Sequence, residues 1–123
     1  MKWTITVNEE NQYIEIVTSG VADRKGSLDM AKAISVTMSK KHIKKTLIDH
    51  RNIISIFGGT AEVYQRPKEF KGIGVIHQVK IAEIVKPEHH EFFNFLENVC
   101  VNRGFEFSVF NDRESALEWL LKS

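Results

Sequence analysis

The chain has 123 residues, 42% hydrophobic and 27% charged, with 17 basic against 16 acidic side chains and a net charge of +1. That length fits one domain spanning 1–123, able to bury about two thirds of its unfolded surface without staples. The charge balance excludes a general nucleic-acid or membrane-surface binder. The single cysteine, Cys100, excludes an internal disulfide and fits a reducing, cytoplasmic compartment. No window approaches the ~18 apolar residues of a membrane span, so no integral membrane association is expected. The first twelve residues lack the apolar core of a signal peptide.

Trp3, Ile5 and Val7 alternate with Thr4 and Thr6, the period of a half-buried strand. "NEEN" at 8–11 is turn chemistry, and Ile14 and Ile16 alternate in a second strand, so residues 3–19 read as an antiparallel hairpin with Gly20 just beyond it. A helix follows, with Ser27 as N-cap and Asp29 in its first turn. Leu28, Ala31, Ile34 and Met38 share one face, and "KKHIKK" suits the negative end of the helix dipole.

"TLIDH" at 46–50 is a short apolar strand. Residues 59–70 predict a second helix despite Pro67, with Val63, Tyr64, Pro67 and Phe70 as its inner stripe. "KGIGVIHQ" reads either as a loop or as the start of the next strand. "VKIAEIV" at 79–85 is the clearer strand. Pro87 suits the first turn of a third helix, in which Phe92, Leu96, Val99 and Arg103 share a side. Gly104 stops it. Phe105, Phe107 and Val109 alternate in a fifth strand. Asn111, with Glu114 three residues on, resembles a capping box, and Ala116, Leu117, Leu120 and Leu121 form the inner face of the last helix. The order β-β-α-β-α-β-α-β-α predicts an α/β domain with a mixed five-stranded sheet and about four helices, its later strands parallel and joined by right-handed crossovers.

"NRGFEFSVFNDRESALEWLL" at 102–121, preceded by "KIAEIV", resembles the end of SpoIIAA-like proteins of the STAS/SEC14-like superfamily. Gly20 with Val21 and Ala22, then Asp49 and Arg51, match that family's glycine after the second strand and its "D.R" after the third. The likeness covers most of the chain in element order, and its motif-like part is the last twenty or so residues. It implies a small, cytoplasmic, mostly bacterial and non-enzymatic domain. Better-known relatives are anti-sigma-factor antagonists that switch by phosphorylation of a serine. Counted from Asp49, the serine position falls on Gly58 here, and Thr60 is the only nearby hydroxyl that could substitute. More distant relatives bind lipids in an apolar pocket.

The chemistry-bearing stretches each carry two readings. Gly58-Gly59-Thr60 either presents helix-start N–H groups to an anion or forms a turn capped by Thr60. Asp49, His50 and Arg51, near the end of a parallel strand, either rim a pocket or cap local backbone. His89 and His90 are adjacent and lack metal-ligand spacing, so no metal or other cofactor is expected. Cys100 lies beside Leu96 and Val99 and reads as core. Lys40, Lys41, Lys44 and Lys45 read as a solvated helix end. Phe95 falls off the Phe92–Leu96 stripe and marks an interface, including one between two copies in a homodimer.

The expected function is a regulatory or binding domain engaging a protein partner or a small, apolar, lipid-like ligand. Its candidate binding residues are Asp49, Arg51, Gly58, Gly59, Thr60 and Tyr64, with Asp49 and Arg51 as polar anchors. A phosphoswitch at Thr60 is the alternative. A small enzyme is a third reading, for which no nucleophile–base pair can be named.

Overall fold

The computed structural model describes residues 1–74 and 76–122, and only the backbone of His77. Five strands, β1 (Lys2–Asn8), β2 (Tyr13–Ala22), β3 (Lys45–Ile56), β4 (Lys80–Ile84) and β5 (Glu106–Phe110), form one sheet in the order β1-β2-β3-β4-β5. β1 and β2 are antiparallel, and every later neighbour is parallel. The helices are α1 (Arg24–Lys41), α2 (Thr60–Lys71), α3 (His90–Val101) and α4 (Arg113–Leu121). A sheet whose order follows the chain, crossed over with one hand, collects its connecting helices on one face. Met30 and Ile34 of α1, Val63 and Phe70 of α2, and Phe93 and Leu96 of α3 accordingly share one core with Ile14, Ile16 and Ile48. Among the described residues only α4 covers the opposite face, where Ala116 and Leu120 meet Leu47, Ala82 and Ile84.

Several boundaries differ from the sequence expectation. β2 does not stop before Gly20 but runs through it to Ala22, with Gly20 at φ +88. β3 is twelve residues long, not a five-residue strand at 46–50. Two bulges explain the discrepancy. From Val17↔Asp49 to Ser19↔Asn52, and again from Gly20↔Ile53 to Val21↔Ser55, β3 advances one residue more than β2. Each extra residue breaks the two-residue alternation on which strand recognition relies.

The caps shift as well. Asp23, not Ser27, caps α1, its carboxylate accepting from Gly26 N at 2.7 Å. Asp29 therefore lies past the first turn, where it pairs with Lys25. Gly59, not Thr60, is the N-cap of α2, and Thr60 is that helix's first residue. Asp112, not Asn111, caps α4 by accepting from Ser115 N, while Asn111 donates to Val85 O. Pro87 opens a 3₁₀ turn, Pro87–His89, directly before α3. The ambiguous segment holds a 3₁₀ turn at Ile76–Gln78, and Val75 within it lies outside the described residues. Arg103 is exposed rather than on the inner side of α3.

The sheet's two edges differ. β1 has β2 on one side only. β5, at the other edge, has Glu97 of α3 reaching over it to accept the Val109 N–H at 2.7 Å. Among the described residues, no helix is long and apolar enough to cross a membrane.

Candidate functional site

The six sequence-predicted residues do not form one cluster. Asp49 alternates with Ile48 and His50, which belong to the face covered by α1–α3, so Asp49 points to the α4 face with Leu47. Arg51 is bound to it there: Asp49 Oδ1 accepts from Arg51 N and Nε, both at 3.0 Å, and Oδ2 from Nη2 at 2.8 Å. Burial pushes the Asp49 carboxyl up, but these donated hydrogen bonds outweigh it and hold the group below its ordinary value. The two side chains satisfy each other, which is the local-cap arrangement. Beside them Arg113 of α4 makes a two-pronged pair with Glu15, at 2.8 and 2.6 Å. The Glu15 hydrogen bonds raise the already high Arg113 pKa. Four charges thus alternate in sign across the β2–β3 surface next to α4.

Gly58, Gly59, Thr60 and Tyr64 lie beyond the end of β3, where the chain passes to the other face and starts α2. Gly58 adopts φ +139, a conformation that side chains rarely reach, and a β-carbon there would lie 2.4 Å from Glu62 Oε2. The carboxylate of Glu62 therefore faces the helix start, where an external anion would meet like charge. Tyr64 is not on the inner stripe of α2 but 52% exposed, with its ring edge-on to Phe95 at 5.3 Å between centroids. Phe95 is half-buried, packed against the main core as well as against Tyr64. Ile54 and Phe57 are each 74% exposed. They leave an apolar rim around the two glycines.

Sequence reasoning missed a polar set under this rim. His50, two residues after Ile48, points inward with it, and its ring stacks on Phe93 at 4.8 Å and 17°. Its Nδ1 lies 2.7 Å from Thr18 Oγ1, and its Nε2 lies 3.4 Å from Glu83 Oε2. All three side chains are at most 4% exposed as residues. Thr18 is no nucleophile in this setting, because it is fully buried and its hydroxyl donates to Asp49 O at 3.2 Å. His50, Glu83 and Arg66 line a cavity of about 40 Å³ between the sheet and α1–α3. Its other walls are largely apolar, including Met30, Ile34, Phe70 and Leu96. Two sequence signals pointed here: a glutamate inside the apolar run "KIAEIV", and an arginine between Val63 and Phe70 on the inner face of α2. Cys100 is fully buried; burial pushes its thiol up to about 12, and the nearby Glu83 charge adds to this.

No family model matches the chain, and no curated protein matches its sequence. Solved structures do match its fold. An anti-sigma factor antagonist from Mycobacterium paratuberculosis superposes with a TM-score of 0.61 at 12% identity, over 98% of this chain and 96% of that one. An uncharacterized protein of the DUF3478 family with a SpoIIAA-like fold, from Shewanella loihica PV-4, gives 0.60 at 20% identity, over 97% and 92%. The anti-sigma factor antagonist SpoIIAA in its unphosphorylated form gives 0.54 at 12% identity, over 96% of each chain. The chain has a SpoIIAA-like fold.

Proposed function

We propose that this chain is a regulatory, non-enzymatic domain that docks a protein partner on the surface joining the end of β3 to the start of α2. The observation that carries this reading is the apolar rim. Ile54 and Phe57 stand 74% exposed and Tyr64 52% exposed in the segment that runs through Gly58 and Gly59, and the other exposed large apolar side chains among the described residues, Val21, Val36 and Val101, are valines. Exposed aromatic and aliphatic side chains grouped on one surface mark contact sites. Two of the solved structures sharing this fold are anti-sigma factor antagonists. Gly59 and Thr60 contribute an open backbone approach. Asp49 and Arg51, on the opposite face of the sheet, lie apart from this surface.

The test is a comparative pull-down. Immobilised wild-type chain should retain a defined protein from an extract of its own cell in near-equal amount. The double variant Ile54→Ser/Phe57→Ser should lose that protein while keeping the wild-type melting temperature, because both side chains are already in solvent. Equal retention by wild type and variant overturns this docking face.

A further inference from the structure

Among the described residues, the main chain of β1 bonds only to β2. An antiparallel edge strand then holds the N–H and C=O of every second residue out toward solvent. Edge strands commonly carry a proline, a bulge or an inward-pointing charge that blocks further pairing. β1 carries none of these. Its ladder runs unshifted from Lys2↔Ser19 to Asn8↔Tyr13, and its one charged side chain, Lys2, lies at the first position on the exposed face.

The strand is also complementary to itself. Residues directly opposed in an antiparallel pair share one face of the sheet, so a symmetric pair must be centred on a residue. Centring on Ile5 brings all 7 residues of each strand into register. Lys2 of one copy then faces Asn8 of the other, Trp3 faces Val7, Thr4 faces Thr6 and Ile5 faces its own copy. Trp3, Ile5 and Val7 already pack half-buried against the main core, so the joint continues an apolar stripe. Aromatic with β-branched side chains, and threonine with threonine, are favourable cross-strand pairs. Lys2 avoids its own copy and meets the strand end that leads into Glu9 and Glu10, so the charges are complementary as well.

We propose that β1 is the contact between two copies of this chain, which pair antiparallel about Ile5 and join their two sheets into one. Main-chain hydrogen bonds supply the attachment, and the alternating side chains set the register. This contact does not rest on the partner-docking reading, which uses the end of β3 and the start of α2.

Sedimentation velocity of the full chain over a concentration series, from about 1 µM to about 1 mM at constant ionic strength, reads the contact, which is small enough to be reversible. The mass should move from 14.2 kDa toward twice that value. Thr4→Lys/Thr6→Lys sets like charges opposite each other at both symmetric positions and should weaken the pair at least about tenfold. Thr4→Glu/Thr6→Lys sets opposite charges there and should pair at least as tightly as wild type. Both threonines are exposed, and Thr6 faces Glu15 on β2, so both variants should keep the wild-type melting temperature in dilute solution. Amide hydrogen exchange of the wild type should slow in β1 between the two ends of the series, a reading that stands even if a variant fails to fold. Ile54→Ser/Phe57→Ser should pair as the wild type does. A monomer at every concentration, equal pairing by the two charge variants, unchanged exchange in β1, or loss of the pair in Ile54→Ser/Phe57→Ser would each overturn this contact.

Discussion

Thr18 Oγ1 and His50 Nδ1 lie 2.7 Å apart inside the sheet, both sealed from solvent. Thr18 Oγ1 also reaches Asp49 O at 3.2 Å, and the other ring nitrogen of His50 faces Glu83, Nε2 to Oε2 at 3.4 Å. A hydroxyl both donates and accepts, so Thr18 meets either tautomer of the ring. Thr18→Val keeps the shape and leaves buried His50 Nδ1 without a partner. It should destabilise the fold by about 1–3 kcal/mol. Thr18→Ser, which keeps the oxygen, should lose clearly less. Urea unfolding of the two variants against wild type measures the difference.

Acid stability should depend on Asp49. Its folded-state pKa lies below its ordinary value because the Arg51 hydrogen bonds outweigh burial. A depressed carboxylate contributes stability that is present above the unfolded pKa of about 3.9 and lost as pH falls through the lower folded value. Asp49→Asn should therefore lower stability at pH 7 by up to about 1 kcal/mol, the Arg51 side chain being half exposed. It should also flatten the decline below pH 4. Unfolding midpoints measured from pH 7 to pH 2.5 test both effects. A parallel pair of curves would show that Arg51 does not stabilise the carboxylate.

Cys100 should be inert while the chain is folded. It is fully buried and its thiol is pushed up to about 12, so almost no thiolate exists at pH 8. A disulfide-exchange reagent such as DTNB should react on the timescale of unfolding in buffer, and within seconds to minutes in guanidinium chloride. Fast native labelling would mean that α3 opens locally far more readily than its packing allows.

Gly58→Ser restores the hydroxyl where the resemblance implies a phosphoacceptor, and it should be costly. The position sits at φ +139, a conformation that side chains rarely reach. A side chain held there costs about 1–3 kcal/mol from backbone strain. An added β-carbon would also meet the tip of the flexible Glu62 side chain, which can swing away, so that contact adds little. Thermal unfolding of Gly58→Ser and of Gly58→Ser/Glu62→Ala checks this: the double variant should recover little of the loss.

The sheet was legible wherever alternation was clean. "WTITV", "YIEIV" and "FEFSV" each gave a strand, and the apolar run at 79–85 gave β4. The second half of β3 was hidden because its bulges at Asp49–Asn52 and Ile53–Ser55 destroy the period that marks a strand. That loss carried over to the site. Asp49 and Arg51 were grouped with the glycines by nearness in sequence, whereas the longer strand places them on the other face. Capping was legible in residue type but not in position: Asp23 precedes Ser27 and Asp112 follows Asn111, and any of the four could cap. The buried polar set was visible only as charges interrupting apolar patterns, at Arg66 and Glu83. Neither residue reveals its partner without the fold.

The bond from Val109 N–H to Glu97 bears on how copies of this chain could associate. A sheet with two available edges can add a strand at either side, so every addition exposes a fresh edge and growth has no natural end. Here α3 has already claimed the main-chain donor of the fourth residue of the five-residue strand β5, which leaves β1 as the accessible side. Pairing between copies through β1 would use up that side on both molecules. Edge-to-edge assembly would then stop at a closed pair, and the fold would be protected from open-ended polymerisation by a single glutamate.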